Sequence, residues 1–261
     1  MSTNPYEAPK AQVADIPEHS AEGNFVAAGR SRPAGNGWQW ITAARALTKQ
    51  RQLLWIGMFI VFGVIAIAIS AIPKLGSLAL TLLMPVLFGG IMITCDKAYR
   101  GDEITFGDLF SGFRSHFAKL AGIGLATLLM YVAVLTIIAA IFGTAAALLL
   151  SGFEHPQGSD PAFAIGMVIA ALVMLGLSLP IYMAVWFSYA LVTINDLSVL
   201  QALKTSFLGC YKNIIPFFVY SLIMMLFALV ASIPIFLGWL ILGPILFASF
   251  YTAYRDIFYE A

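Results

Sequence analysis

Asp96, Asp102, Glu103, Asp108 and His116 crowd into residues 95–119, between two apolar runs. Acids and a histidine so placed could supply a general acid, a general base or metal ligands. Their spacing points elsewhere, because no His-Glu-x-x-His or paired Cys-x-x-Cys pattern occurs among them. His19 and His155 stand in separate loops. Cys95 and Cys210 are too few for a disulfide framework and read as small apolar fillers. There is no glycine-rich phosphate loop. Residues of these types at these spacings predict no enzyme, no cofactor and no metal.

What remains is suited to binding. Arg45, Lys49, Arg114, Lys119, Lys204 and Lys212 flank apolar runs, where each cation attracts anionic lipid by about 1 kcal/mol. They suit lipid headgroups better than nucleic acid. Pro85, Pro180 and Pro244 lie inside apolar runs and each frees a carbonyl one turn earlier, near Thr81, Gly176 and Leu240. Three such bends around one axis predict a vestibule, with a lipid tail between the bent spans and its headgroup among the six bases.

The elements that must position these residues belong in a membrane. The chain is 61% hydrophobic and only 10% charged, with a mean hydropathy of +0.90, outside the range of water-soluble domains. Apolar runs cover residues 53–72, 75–94, 120–150, 163–194, 214–233 and 235–253. Each reaches the roughly 20 residues that cross a hydrocarbon core. The third and fourth are longer than a bilayer requires; they must tilt, break or project, and projection is the expectation. Residues 1–37, rich in proline, predict a disordered cytoplasmic tail ahead of a membrane domain over 38–261.

Amphipathic helices are expected before each pair of spans. The first starts at Trp38 and Trp40 and lies at the interface. The second opens at Thr105-x-x-Asp108 with Phe106, Leu109, Phe110, Phe113 and Phe117 on one face, and the third at the capping-box match Ser198-x-x-Gln201 with Leu200, Leu203, Phe207 and Tyr211. Of 14 Lys and Arg residues, only Lys74 falls on the far side of six spans. That asymmetry puts both termini in the cytoplasm.

Pro85-Val86-Leu87-Phe88-Gly89 returns as Pro244-Ile245-Leu246-Phe247-Ala248 and, more loosely, as Pro180-Ile181-Tyr182-Met183-Ala184. The predicted fold is therefore all-α: six transmembrane helices in three parallel hairpin repeats, about 38–103, 104–196 and 197–261, each preceded by a cytoplasmic amphipathic helix. The box Asn4-Pro5-Tyr6-x-Ala8-Pro9, the run Gly35-x-Gly37-Trp38-x-Trp40-Ile41, and Gly101-Asp102-x-Ile104-x-Phe106-x-Asp108-Leu109-Phe110-x-Gly112-Phe113 resemble a family of uncharacterised multi-span inner-membrane proteins of proteobacteria. The resemblance implies a fold and a location but carries no activity or catalytic residue. Two functions fit these features. One is a non-enzymatic inner-membrane scaffold that binds lipid or another membrane protein; the other is a transporter or permeation path for an apolar or lipid-like solute. Nucleic acid is not an expected partner.

Overall fold

Backbone N–H and C=O groups inside lipid find no water, so each apolar run must close its own hydrogen bonds as a helix. A computed structural model, describing residues 23–150 and 161–260, gives an all-helical chain without a strand among those residues. The helices are α1 (Asn36–Lys49), α2 (Gln52–Ser70), α3 (Gly76–Arg100), a 3-10 turn (Phe106–Phe110), α4 (Ser111–Ser115), α5 (Phe117–Leu150), α6 (Pro161–Trp186), α7 (Ser188–Thr193), α8 (Val199–Lys212), α9 (Ile214–Ser232) and α10 (Trp239–Phe258).

Among the described residues, five segments are long and apolar enough to cross a membrane: Gln52–Ser70, Gly76–Arg100, Phe117–Ala140, Val168–Thr193 and Ile214–Ser232. Helix α10 is not one of them. Its composition includes Tyr251, Tyr254, Arg255 and Asp256, and it is the most enclosed of the long helices, packed on by α1, α2, α3 and α9. A helix surrounded by protein gains nothing from being apolar on every side. The turn before it carries left-handed backbone at Ile235 and Phe236.

The connecting elements follow one rule. The 3-10 turn and α4, which precede α5, pack on α3; α8, which precedes α9, packs on α6; α1, which precedes α2, packs on α10. Each connector thus leans on the second helix of the hairpin before it, and α1 closes the circuit.

Several expectations change in the folded chain. Residues 23–37 are not a loose tail: Phe25 pairs antiparallel with Tyr259, and the N–H groups of Val26 and Arg30 donate to the carbonyls of Phe258 and Ile257, both at 2.8 Å. The Asn4–Pro9 box lies outside the described residues, as do Glu154, His155 and Asp160. Helix α1 turns one face into the protein: Trp40 is 2% exposed and packs on Phe217 and Tyr220 of α9. Trp38 stays exposed.

The connector over 106–117 is not one amphipathic helix either. It breaks at His116, Leu109 is buried against α3, and Phe117 already belongs to α5. The cause is close backbone approach. A side-chain carbon at Gly90 would collide with the Leu109 carbonyl, and one at Gly112 with the Val86 carbonyl, so two glycines allow the connector to seat directly on α3. The fourth long run does not stay whole; it breaks at Phe187 between α6 and α7. There the Ser206 hydroxyl enters the helical ladder, accepting from the Phe187 N–H at 2.9 Å and donating to the Met183 carbonyl at 2.7 Å. A side chain inserted between residues i and i−4 is a recognised cause of a helix break.

Candidate functional site

Charged residues gather at one end of the helix bundle, and α10 is its hub. Successive residues of a helix point about 100° apart, so Tyr251, Tyr254, Arg255 and Asp256 reach different neighbours. The Tyr251 hydroxyl donates to Asp96 Oδ1 at 2.8 Å, and Asp96 Oδ2 lies 2.9 Å from Arg100 Nε. Tyr254 donates to Asn195 Oδ1, while Asn195 Nδ2 donates to the Tyr259 hydroxyl at 2.9 Å. The Arg255 guanidinium lies over the rings of Tyr99, 4.7 Å away, and Tyr259, 4.0 Å away.

Asp256 receives the N-terminal segment. Arg32 pairs with it at 3.0 Å, and Asn36 Nδ2 and Trp40 Nε1 donate to Oδ2 at 2.7 and 2.8 Å. Lys212 adds a second attachment, donating to the carbonyls of Ala28 and Gly29, and Asn213 a third, donating to the Arg30 carbonyl.

Two further acids tie connectors to spans. Asp108 accepts from Lys97 Nζ at 2.6 Å and from the Thr105 N–H at 2.7 Å, forming a capping box where an N-cap followed by an acid was expected. Burial alone would raise its carboxyl, but the Lys97 ammonium and the Thr105 donors outweigh burial and hold it below the usual carboxylate range. Asp196, on left-handed backbone, is held low chiefly by Lys119, 2.7 Å away, with His116 Nε2 at 3.4 Å. Lys97 and Asp256 each stand twelve residues after the proline of their helix, and each forms an ion pair to the element preceding the next hairpin. The pairs have opposite polarity. The corresponding residue after Pro180 is Val192, fully buried and apolar.

The expected site residues are therefore not brought together. Lys119 and Lys212 are engaged by the protein itself, Lys119 by Asp196 and Lys212 by the carbonyls of Ala28 and Gly29. Arg45 is half-buried and reaches Gln52 Oε1 at 3.5 Å. Lys49, Arg114 and Lys204 are exposed. Pro85 and Pro244 are buried, whereas Pro180 is exposed, so the three prolines do not face a common space. Where a vestibule was expected, Phe62, Phe88 and Phe247 pack edge to face with centroids 4.9 to 5.5 Å apart, and Tyr189 stacks on Phe88 at 5.5 Å. Aromatic rings so packed fill the centre. The freed Thr81 carbonyl is met by Gly124 of α5, at which a side-chain carbon would collide with it.

Chemically, the charged end holds helices together. The carboxylates Asp96, Asp108, Asp196 and Asp256 each have a cation or a hydrogen-bond donor of the protein as partner, and among the described residues no three His, Cys, Asp or Glu side chains are grouped to hold a metal ion. Sequence reasoning missed Ser206, Asn195, Asn213 and Asp256. Only Asp256 carried a signal, as an acid near the chain's end with Arg30 and Arg32 near its start.

A groove of about 320 Å³ lies between α6 and α9, lined by Tyr182, Met183, Trp186, Cys210, Phe217 and Ser221 among others.

A Burkholderia thailandensis protein described as a probable inner membrane protein is 26% identical over 247 residues, covering 86% of this chain and 92% of that one. No solved structure matches the chain. Residues 42–254 match the family described as "Domain of unknown function (DUF7847)". That match covers most of the helices described above, and the chain is a membrane protein belonging to the DUF7847 family.

Proposed function

We propose that the protein is a non-enzymatic scaffold of the bacterial inner membrane, built from six spans in three hairpin repeats, which binds lipid or another membrane protein. The connector rule supports the repeats: three times a connector packs on the second helix of the preceding hairpin, through α3, α6 and α10. By this reading α10 is the sixth span, enclosed by its neighbours and therefore less apolar than they are. The charged end faces the cytoplasm, because the bases gather there and Lys74 alone stands at the other end. The name of the Burkholderia relative supports the inner membrane.

The observation that carries the scaffold reading is how the charged end uses its residues. Asp96, Asp108, Asp196, Asp256, Asn195, Asn213, Tyr251 and Tyr254 are engaged in joining elements, while the exposed groups at that end include the cations Lys49, Arg114 and Lys204, the acids Asp102 and Glu103, and the rings of Phe113, Phe117 and Tyr211. Cations beside exposed aromatics suit an anionic membrane surface or an acidic partner. A permeation path along the repeat axis would require the Phe62, Phe88 and Phe247 cluster to part, which places transport second.

Mild extraction followed by mass spectrometry of retained material tests the proposal. The triple substitution Lys49→Gln, Arg114→Gln and Lys204→Gln should reduce retained anionic lipid or a co-purifying protein while the fold persists. A solute flux in vesicles holding the purified protein, with nothing co-purifying, would favour the transporter.

A further inference from the structure

Two acids at the charged end, Asp102 and Glu103, take little part in joining the helices. Helix α3 closes at Gly101, which sits on left-handed backbone at φ 81°, and the Asp102 N–H donates to the Lys97 carbonyl at 2.9 Å. The chain then turns toward the start of α2, where Arg51 Nη1 lies 3.4 Å from the Ile104 carbonyl and 3.7 Å from Glu103 Oε1. A cavity of about 360 Å³ lies here, lined by Leu47, Gln50, Arg51, Asp102, Glu103 and Ile104 among others. Unlike the groove between α6 and α9, whose lining is uncharged, it carries both signs of charge. The Asp102 carboxylate has no partner among the described residues. The Arg51–Glu103 pair is long and its side chains are 51% and 77% exposed, so it contributes little by itself.

We infer that this cavity holds the phosphoethanolamine headgroup of a membrane phospholipid, the ammonium donating to Asp102 and Glu103 and the phosphate facing the Arg51 guanidinium; the inference rests on the membrane reading above and names a lipid class for it. Depth supports the assignment. Gln52 opens α2, whose 19 residues rise about 28 Å and are taken up by a hydrocarbon core of roughly 30 Å. Arg51, one residue earlier, therefore stands at headgroup level, and Leu53, 85% exposed, already faces lipid. Charge then selects the headgroup. Two carboxylates against one guanidinium leave negative charge in excess, which disfavours a phosphate with no cation of its own, as in phosphatidylglycerol. The backbone adds to the same sign, because α1 and α3 both end at the cavity, at Lys49 and Arg100, and helix C-termini carry partial negative charge. In the last turn of α3, Lys97 and Arg100 pair with Asp108 and Asp96 instead. An ethanolamine ammonium brings three N–H donors, as a lysine does, whereas the quaternary ammonium of phosphocholine brings none. A headgroup with both charges thus replaces one long ion pair by two charge-assisted contacts.

The test uses the full-length protein in nanodiscs holding equal amounts of palmitoyl-oleoyl phosphatidylethanolamine, phosphatidylcholine and phosphatidylglycerol, released into native mass spectrometry under stepwise activation. The last lipid to leave the wild type should be phosphatidylethanolamine. Its ratio to phosphatidylcholine is the readout, since both are net neutral and a change in the protein's charge moves them alike. Asp102→Asn combined with Glu103→Gln should lower that ratio about tenfold, while Glu260→Gln, an acid at the same end outside the cavity, should leave it unchanged. Arg51→Gln should shorten retention of both lipids by weakening the phosphate contact. All four side chains are exposed, so the variants keep the fold. Adding glycerophosphoethanolamine distinguishes sources: its adduct displacing the lipid would assign the cavity to a soluble phosphoethanolamine and overturn the lipid proposal. Equal retention of phosphatidylethanolamine and phosphatidylcholine by the wild type, phosphatidylglycerol leaving last, or an unchanged ratio in the double variant would overturn the site itself. None of these results touches the scaffold reading, whose readout is anionic lipid or a protein held by Lys49, Arg114 and Lys204.

Discussion

At Ser206 one hydroxyl replaces a rung of a helix, joining the Phe187 N–H to the Met183 carbonyl across the break between α6 and α7. Ser206 is fully buried, so Ser206→Ala leaves both groups without partners. The expected loss is about 1–3 kcal/mol, read as a lower unfolding temperature in detergent, and a cysteine at 206 should restore little of it because a thiol bonds weakly. Asp108 makes a pH-dependent contribution. Its carboxyl is held below the ordinary value of about 3.9, so the folded state binds fewer protons than the unfolded one above its own pKa. The stabilisation is fully present above about pH 4 and is lost as pH falls through the depressed value. Asp108→Asn should flatten that acid limb and lower stability near neutrality by roughly 1–2 kcal/mol through loss of the cap and the Lys97 bond. Thermal melts at pH 3 and pH 7 distinguish the two effects.

At the scale of elements, packing decides where each connector lies. The turn Phe106–Phe110 and α4 fit against α3 because Gly90 and Gly112 bring backbone onto backbone. Gly112→Leu should lift the connector from α3, increase hydrogen exchange over residues 105–116, and cost roughly 1–3 kcal/mol, as overpacking does. Exchange confined to wild-type rates would show that the close approach is not needed. The N-terminal segment is held chiefly by polar groups: Arg32, Asn36 and Trp40 on Asp256, and Lys212 and Asn213 on the backbone of residues 28–30. Asp256→Ala should release it, visible as faster exchange at the Val26 and Arg30 amides while α5 and α6 remain protected. The same tie gives Lys212 a structural role, so Lys212→Gln should loosen residues 28–30 rather than weaken lipid retention.

At the scale of the whole molecule, orientation and closure are the testable properties. Cys95 and Cys210 are buried, so introduced thiols can be read against a low background. With the charged end in the cytoplasm, Lys74→Cys should react with a membrane-impermeant maleimide in intact cells, and Lys204→Cys only after permeabilisation. The reverse pattern inverts the protein. Closure of the circuit depends on α1 reaching α10, with Thr252 donating to the Trp40 carbonyl at 2.8 Å. Trp40→Ala removes a side chain packed among Phe217 and Tyr220 and bonded to Asp256. It should cost roughly 3–5 kcal/mol and leave α1 open to protease.

Membrane residence, the helical class and the runs that become spans were legible in the residues, because lipid leaves an apolar segment of this length one way to satisfy its backbone. The N-cap at Thr105 and the capping box at Ser198 were legible too, since Thr105–Asp108 and Ser198–Gln201 are local contacts within a single turn. The proline motif and the spacing of the connectors carried the expectation of three units. Tertiary structure alone decided the rest, and for a single reason: the deciding contacts join residues far apart in the chain. Asp256 meets Arg32 across most of its length, Ser206 cuts a helix that its own residues would have continued, and Phe62, Phe88 and Phe247 come from three different helices to fill the expected vestibule. Lys119 and Lys212, as exposed in sequence as any base, are drawn onto Asp196 and residues 28–29. Periodicity specifies which face of a helix is apolar, but only the neighbours brought against that face determine whether it meets lipid, another helix, or the groove between α6 and α9.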